Sequence, residues 1–397
     1  MSEEMVCRKR RLSSFQIIIL GFAGVILLGA LLLMLPISAT ARCVTPFHEA
    51  LFTATSAVCV TGLVVQDTGS YWSVFGQAVI LTLIQIGGLG VVTVAASFAL
   101  LSGRRISLMQ RSTMQDAISA PRVGGIVRLT RFILRGTFLI ELIGALAMLP
   151  VFCRDYGWHG IWMAVFHSIS AFCNAGFDIL GTNNNLYPSL TGYVQNPVIN
   201  ITIMLLIITG GIGFLTWDDI CENKLHFHRY RMQSKVILVT TLALIVLPAL
   251  FFFFVDFDAL PLRERVQASL FQSVTPRTAG FDTVPTGELS PAGGLMTLIL
   301  MMTGGNSGSQ ACVTVIRGIS LDEIEFRDIF KVVWKEIRVA VLCGICLAVA
   351  CFAKVMLVDH LLLRSESVNA WVALVVSLSM AVTVFLAKLV GGTLPLL

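Results

Sequence analysis

Charge is what this sequence has least of. Lys, Arg, Asp and Glu together make up 13% of its 397 residues, about half the share found in soluble domains. Inside the long apolar runs acids nearly vanish: Glu141 is the one clear case, expected to pair with Arg135 or to lie at a helix interface. Ionisable groups within membrane spans are costly and usually mark chemistry, so their scarcity argues against a membrane enzyme. The glycine-rich run "GGNSGSQ" (304–310) lacks the Lys of a phosphate loop, and "GGLGVV" (87–92) lacks the βαβ surroundings of a dinucleotide fingerprint. The "CGIC" at 343–346 also has no βαβ context for a redox motif. Most of the ten cysteines fall in apolar segments and read as small buried hydrophobes. "HFHRY" (226–230) reads as a solvated basic loop rather than a metal site.

What is abundant is apolar sequence, 56% of the chain. Runs near 14–36, 74–101, 133–152, 197–215, 236–255 and 339–358 reach the roughly 20 residues that cross a bilayer. The first follows Arg8–Arg11 and runs on to Pro36, too long for a cleaved signal, so a retained helix is expected. Twenty of the 28 basic residues cluster at 8–11, 104–111, 122–135, 224–235 and 317–338. Those clusters mark the cytoplasmic side and place the N-terminus there. The net charge of +5 is explained by these loops and calls for no nucleic acid.

A repeat is also present. "ALFTATSAVCVTGL" (50–63), "AVFHSISAFCNAGF" (164–177) and "SLFQSVTPRTAGF" (269–281) each carry Phe, then Ser, then Gly: Phe52, Ser56, Gly62; Phe166, Ser170, Gly176; Phe271, Ser273, Gly280. The glycines are spaced by 114 and 104 residues, and second markers follow: "IGGLG" (86–90), "TGGIG" (209–213) and "TGGNSG" (303–308). The predicted unit is a span, a short re-entrant helix, a glycine break and a second span. Irregular backbone at membrane depth must be buried in protein or line a watery path. Carbonyls around such a glycine replace the water shell of a dehydrated cation, and a helix C-terminus aimed at them adds negative potential. Kinks or small-residue packing between helices are the competing explanation; three copies with shared flanks weigh against it.

At these residues the sequence resembles the Trk, Ktr and plant HKT superfamily of potassium transporters, and most closely the bacterial Ktr-type membrane subunit. The resemblance covers residues 14 to about 320 through "FTATSAVCVTGLVVQDTGSYW", "FHSISAFCNAGFDIL", "QSVTPRTAGFDTVPTGELS" and "MMTGGNSGS". It implies an all-α polytopic membrane protein with repeated span–pore helix–filter loop–span units around one pore. Potassium is the transported ion, with no cofactor in this chain. The partners implied are a second copy of the chain, a cytoplasmic nucleotide-binding regulatory subunit and the lipid bilayer of the plasma membrane. The expected parts are a basic N-terminus (1–13), pore units at 14–112, 113–230 and 231–320, and an incomplete fourth unit (321–397).

Carried over residue by residue, the filter is Cys59, Val60, Thr61 and Gly62, then Cys173, Asn174, Ala175 and Gly176, then Arg277, Thr278, Ala279 and Gly280. The resemblance also implies an intramembrane gate loop at 303–315, with Gly304, Gly305, Asn306, Ser307, Gly308, Ser309 and Gln310. From Gln310 onward the sequence leaves the family pattern. The fourth repeat departs further. "ESVNAWVALVVS" (366–377) puts Val375 where the filter glycine belongs, and few residues remain for a second span. A degenerate filter and a tail that packs helically are both compatible with that text. The function implied is potassium uptake; the alternative is a non-conducting, degenerate or truncated copy serving as a membrane scaffold.

Overall fold

A computed structural model describes residues 14–90, 93–94, 126–224, 226–304, 329–356 and 370–393. Helices dominate it, and the described residues contain no strand, only the isolated bridges Ala39–Trp72 and Thr182–Asn185. The protein is an all-α polytopic membrane protein. Among the described residues, three helices are long and apolar enough to cross a bilayer, within Gln16–Leu33, Val127–Tyr156 and Met232–Val255. The pair Pro197–Gly211 and Phe214–Asn223 is bent by 96° at its break.

The chain forms two compact units. The first takes in the chain up to Asp218 together with Ala279–Phe281. It contains α1 (Ser14–Leu33), α2 (Phe47–Val58), α3 (Val74–Leu89), α4 (Ile126–Tyr156), α5 (His159–Phe172), α6 (Pro197–Gly211) and the start of α7 (Phe214–Asn223). Helices α1, α2 and α3 pack mutually, as do α4, α5 and α6, and α3 joins α5. Each trio is therefore long helix, short helix, second helix, as the repeat predicts. The short helices α2 and α5 have 12 and 14 residues, about 18–21 Å of rise, too little to span the roughly 30 Å of hydrocarbon. Pro46 precedes α2, with Glu49 in its first turn, a helix-starting combination. Ser73 caps α3 by accepting from Gly76 N, and Asn196 caps α6 by accepting from Val198 N and Ile199 N.

The second markers of the repeat gain a physical meaning here. A Cβ on Gly87 of α3 would lie 2.1 Å from Val58 O at the end of α2, and one on Gly210 of α6 would lie 1.8 Å from Phe172 O at the end of α5. In both trios the first glycine of the pair lets the third helix close directly onto the last turn of the short one. Outside the helices, buried Asp67 accepts from Ser70 N and Oγ and from Tyr187 N, which binds the loop after α2 to the loop after α5. Gln77 of α3 donates to Trp72 O and accepts from Trp162 Nε1 of α5 at 2.8 Å.

The second unit comprises Asp219–Thr278 and Asp282–Leu397. Its third trio is α8 (Met232–Val255), α9 (Leu262–Val274) and α10 (Pro291–Gly304), which pack on one another. Arg265 of α9 donates to Phe253 O at 2.6 Å and lies 4.1 Å over that ring. Gln272 Nε2 donates to Thr297 Oγ1 of α10. Asp256, at the end of α8, accepts from Ser290 N just before α10. Helices α11 (Ile329–Lys354) and α12 (Ala370–Thr393) form a closely packed pair, and α12 also touches α10.

The glycine contacts set a stability prediction. Gly87→Ala and Gly210→Ala each drive a methyl into backbone that cannot step aside, so each should cost about 1–3 kcal/mol. Gly24→Ala in α1 meets nothing within 4 Å and should be neutral or mildly stabilising. Thermal unfolding in detergent checks the ordering; equal melting temperatures for all three variants would refute it.

Candidate functional site

The two short helices of the first unit end in the same way. Cys59 N donates to Thr55 O, Val60 N to Ala57 O and Thr61 N to Ser56 O; Cys173 N, Asn174 N and Ala175 N repeat this with Ile169 O, Ala171 O and Ser170 O. This is the six-to-one and five-to-two bonding of a Schellman stop, which needs a left-handed residue after the cap. Val60 and Asn174 fill that place with φ of 55° and 56°. Asn tolerates the conformation, whereas a β-branched residue there is strained. Two residues on, Gly62 and Gly176 are left-handed again, with φ of 73° and 69°. The third copy keeps the pair at Thr278 (71°) and Gly280 (75°), although α9 stops at Val274 and Pro276 intervenes.

In the first unit these turns come together. A Cβ on Gly62 would lie 2.6 Å from Ala175 O, and one on Gly176 would lie 2.5 Å from Ala279 O and 3.3 Å from Gly280 Cα. The first turn therefore adjoins the second, and the second adjoins the third, each glycine facing the carbonyl that precedes the next glycine. Both the left-handed φ and the close carbonyl exclude a side chain at Gly62 and Gly176. The serines of the repeat also find work. Thr61 Oγ1 donates to Ser56 Oγ at 2.9 Å, and Ser170 Oγ donates to Phe177 O at 2.7 Å, so in two copies the Ser ties the short helix to its turn. Ser273 Oγ bonds back to Leu270 O. Asn174 Oδ1 is buried without a hydrogen-bond donor among the described residues. Phe281, fully buried beyond Gly280, lies 6.3 Å from the His167 ring, which stacks on Phe152.

Other expected site residues are placed differently. Arg277 belongs to the second unit, where Nη2 lies 3.4 Å from Thr241 Oγ1 of α8. Gly304 ends α10, while Gly305, Asn306, Ser307, Gly308, Ser309 and Gln310 lie outside the described residues, so the loop at 303–315 cannot be placed beyond its first two residues. Val375 requires a correction. It sits inside the continuous helix α12, 59% exposed, and not in a filter-type turn. The 24 residues of α12 hold no glycine before Gly391, so nothing in them forces a break. Glu141 also differs from one expectation: its carboxylate accepts from Gln85 Nε2 at 2.9 Å, and Arg135 is exposed. Of the two expectations, the helix interface is the one observed.

Sequence reading missed the acids just outside the turns. Asp178 and Asp282 each follow a glycine of the repeat by two residues, in the repeated text "GFD". Asp178 Oδ1 accepts from Leu180 N, and Asp282 pairs with Thr286 while burial pushes its carboxyl above the ordinary value. The repeat of "GFD" was the available signal.

Comparisons with known proteins divide the chain at its C-terminal part. A family model described as TrkH, cation transport protein, matches residues 9–325. A second, described as MgtE, divalent cation transporter, matches residues 297–397. The two overlap over the stretch that holds the Gly304–Gln310 loop; beyond 325 only the second applies. The potassium/sodium uptake protein NtpJ of Enterococcus hirae is 39% identical over 334 residues, 81% of this chain and 71% of that protein. The Ktr system potassium uptake protein B of Bacillus subtilis is 39% identical over 318 residues, 78% of this chain and 69% of that one. The magnesium transporter MgtE of Thermus thermophilus is 35% identical over 99 residues, 25% of this chain and 20% of that one. The crystal structure of the potassium transporter TrkH from Vibrio parahaemolyticus aligns with TM-score 0.57 and 15% identity, covering 96% of this chain and 86% of that one, a likeness of fold. With the TrkH model running through all three glycine turns, and relatives of that family aligned over most of its length, the chain belongs to the TrkH family of cation transport proteins.

Proposed function

We propose that the chain carries potassium into the cell as the membrane subunit of a Ktr/Trk-type system, with Gly62, Gly176 and Gly280 at the selectivity filter. The observation that carries this reading is the chain of close contacts from Gly62 to Ala175 O and from Gly176 to Ala279 O. Backbone oxygens gathered this way can replace the water around a dehydrated cation without an ionised side chain. The names of the aligned relatives, potassium/sodium uptake and Ktr potassium uptake, agree with it. The reading includes a plasma-membrane location with the N-terminus inside, following the basic loops. It also includes a homodimer and a cytoplasmic nucleotide-binding regulatory subunit, in line with the resemblance.

A second reading is favoured by one observation. Residues 297–397 match a different transporter family, and Val375 lies in unbroken helix. On this reading the fourth unit is not an incomplete Trk-type repeat but a helical segment of other origin, and the chain by itself forms no potassium-selective pore. Liposomes holding the purified chain decide between the two. Potassium-selective flux from the unaltered chain favours the first. Flux that appears only after a complete fourth unit, with its filter glycine, replaces residues 321–397 favours the second.

Restored growth at low potassium, in cells without their own uptake systems and supplied with a regulatory partner, is the expected outcome for the intact chain. Gly176→Ala places a methyl 2.5 Å from Ala279 O at a φ of 69°, and should cut potassium flux about tenfold or more. Gly62→Ser should weaken discrimination against sodium; unchanged sodium exclusion would remove Gly62 from the filter. Val60→Asn, which gives the first turn the residue the second carries at Asn174, should keep transport and raise stability by about 1 kcal/mol.

A further inference from the structure

Glu141 is the acid that the transport reading leaves without a task. It lies midway along α4 and is 4% exposed. Its Oε1 accepts from Gln85 Nε2 of α3 at 2.9 Å. The other atom of that amide, Gln85 Oε1, faces Cys173 Sγ at 3.9 Å. Cys173 caps α5 directly before the second glycine turn. From the far side, Ser168 Oγ of α5 donates to the backbone carbonyl of Glu141 at 2.6 Å. Gly88, one turn of α3 beyond Gln85, keeps the approach open, since a Cβ there would lie 2.5 Å from Cys173 Sγ. Three helices thus meet at one polar point behind the filter.

An apolar side chain would pack this point at lower cost, because polar groups withdrawn from water must find partners. Once both partners are present, the low dielectric strengthens their bond and makes an unmatched partner expensive. Such a pair fixes a distance between helices more sharply than apolar packing does. Here the fixed distance is that between α3, α4 and the residue from which the second turn starts. We propose that Glu141 and Gln85 form a positioning clamp for the second filter turn, acting on ion discrimination through Cys173 and never touching the ion. The clamp rests on the transport reading, and two independent measurements separate the two ideas.

The variants are E141Q, E141L, Q85L, the double variant Q85L/E141L and the exchanged pair Q85E/E141Q, each made in the full chain. Potassium and sodium flux is measured in liposomes, and stabilisation against heat by potassium or by sodium is measured in detergent. E141Q keeps an acceptor at the same place and should hold the potassium-over-sodium ratio within about twofold. E141L and Q85L should each lower that ratio about tenfold, and the two together no further than either alone, as for a coupled pair. The exchanged pair remakes the bond with its direction reversed and should restore the ratio. A ratio unaltered in E141L or Q85L, or losses that simply add, would overturn the clamp. Should the Leu variants fail to yield folded protein, the exchanged pair decides alone: a restored ratio supports the clamp and a lost one overturns it. If the unaltered chain is stabilised by potassium but carries no flux, the transport reading fails and the clamp is read from the stabilisation ratio. If the unaltered chain neither carries potassium-selective flux nor is stabilised by potassium over sodium, the transport reading and the clamp both fail.

Discussion

A helix that ends inside a membrane leaves carbonyls and amides that lipid cannot satisfy. Much of the first unit can be understood as the answer to that constraint, given twice. The terminal amides of α2 and α5 turn back into the helix through the Schellman bonds at Thr61–Ser56 and Ala175–Ser170. The carbonyls of the last helical residues, Val58 and Phe172, are covered by Gly87 and Gly210 of the following helix. Backbone oxygens just beyond, such as Ala175 O and Ala279 O, come to lie against neighbouring glycines. The same geometry that ends the helix safely therefore gathers carbonyls in one place.

The three glycine turns were legible because a left-handed residue at membrane depth has few sequence solutions. Gly62, Gly176 and Gly280 announced both the break and its conformation. Their left-handed partners two residues earlier were not legible, since Val60, Asn174 and Thr278 share no chemistry and only Asn suits the φ. The glycine pairs at 87–88 and 210–211 were visible as markers, but their purpose depends on which helix end lies opposite, and that is a tertiary fact. Glu141 was recognised as unusual, yet proximity in sequence suggested Arg135, whereas the fold brought Gln85 from 56 residues away. Long-range pairs of this kind leave no periodic trace.

Val375 shows the opposite failure. The stretch "ESVNAWVALVVS" (366–377), set against a fourth repeat, carries no glycine. The two positions where the fourth copy lacks the expected glycines, Val372 and Val375, lie within α12. Where the diagnostic glycines are absent, the remaining agreement carries no conformational information, and the chain follows its local preference into α12. The match of residues 297–397 to a second family is consistent with that, and so is the departure from the Trk pattern that begins at Gln310.

The acids nearest the glycine turns are taken up by neighbouring hydrogen-bond donors. Asp67 is occupied by Ser70 and Tyr187 in the loops after α2 and α5, and Asp178 by Leu180 N. A site built from neutral carbonyls has no strong charge to hold a cation whatever the geometry, so its discrimination depends on where the oxygens stand. That dependence extends outward. Gly88 bears on Cys173 and Gly87 on Val58, so one short stretch of α3 supports the ends of both α2 and α5, from which the first two turns start. Displacing that stretch would move two turns together, so the α3 glycine pair and the polar contact beside it at Gln85 bear on the geometry of the glycine turns, although none of these residues lies in them.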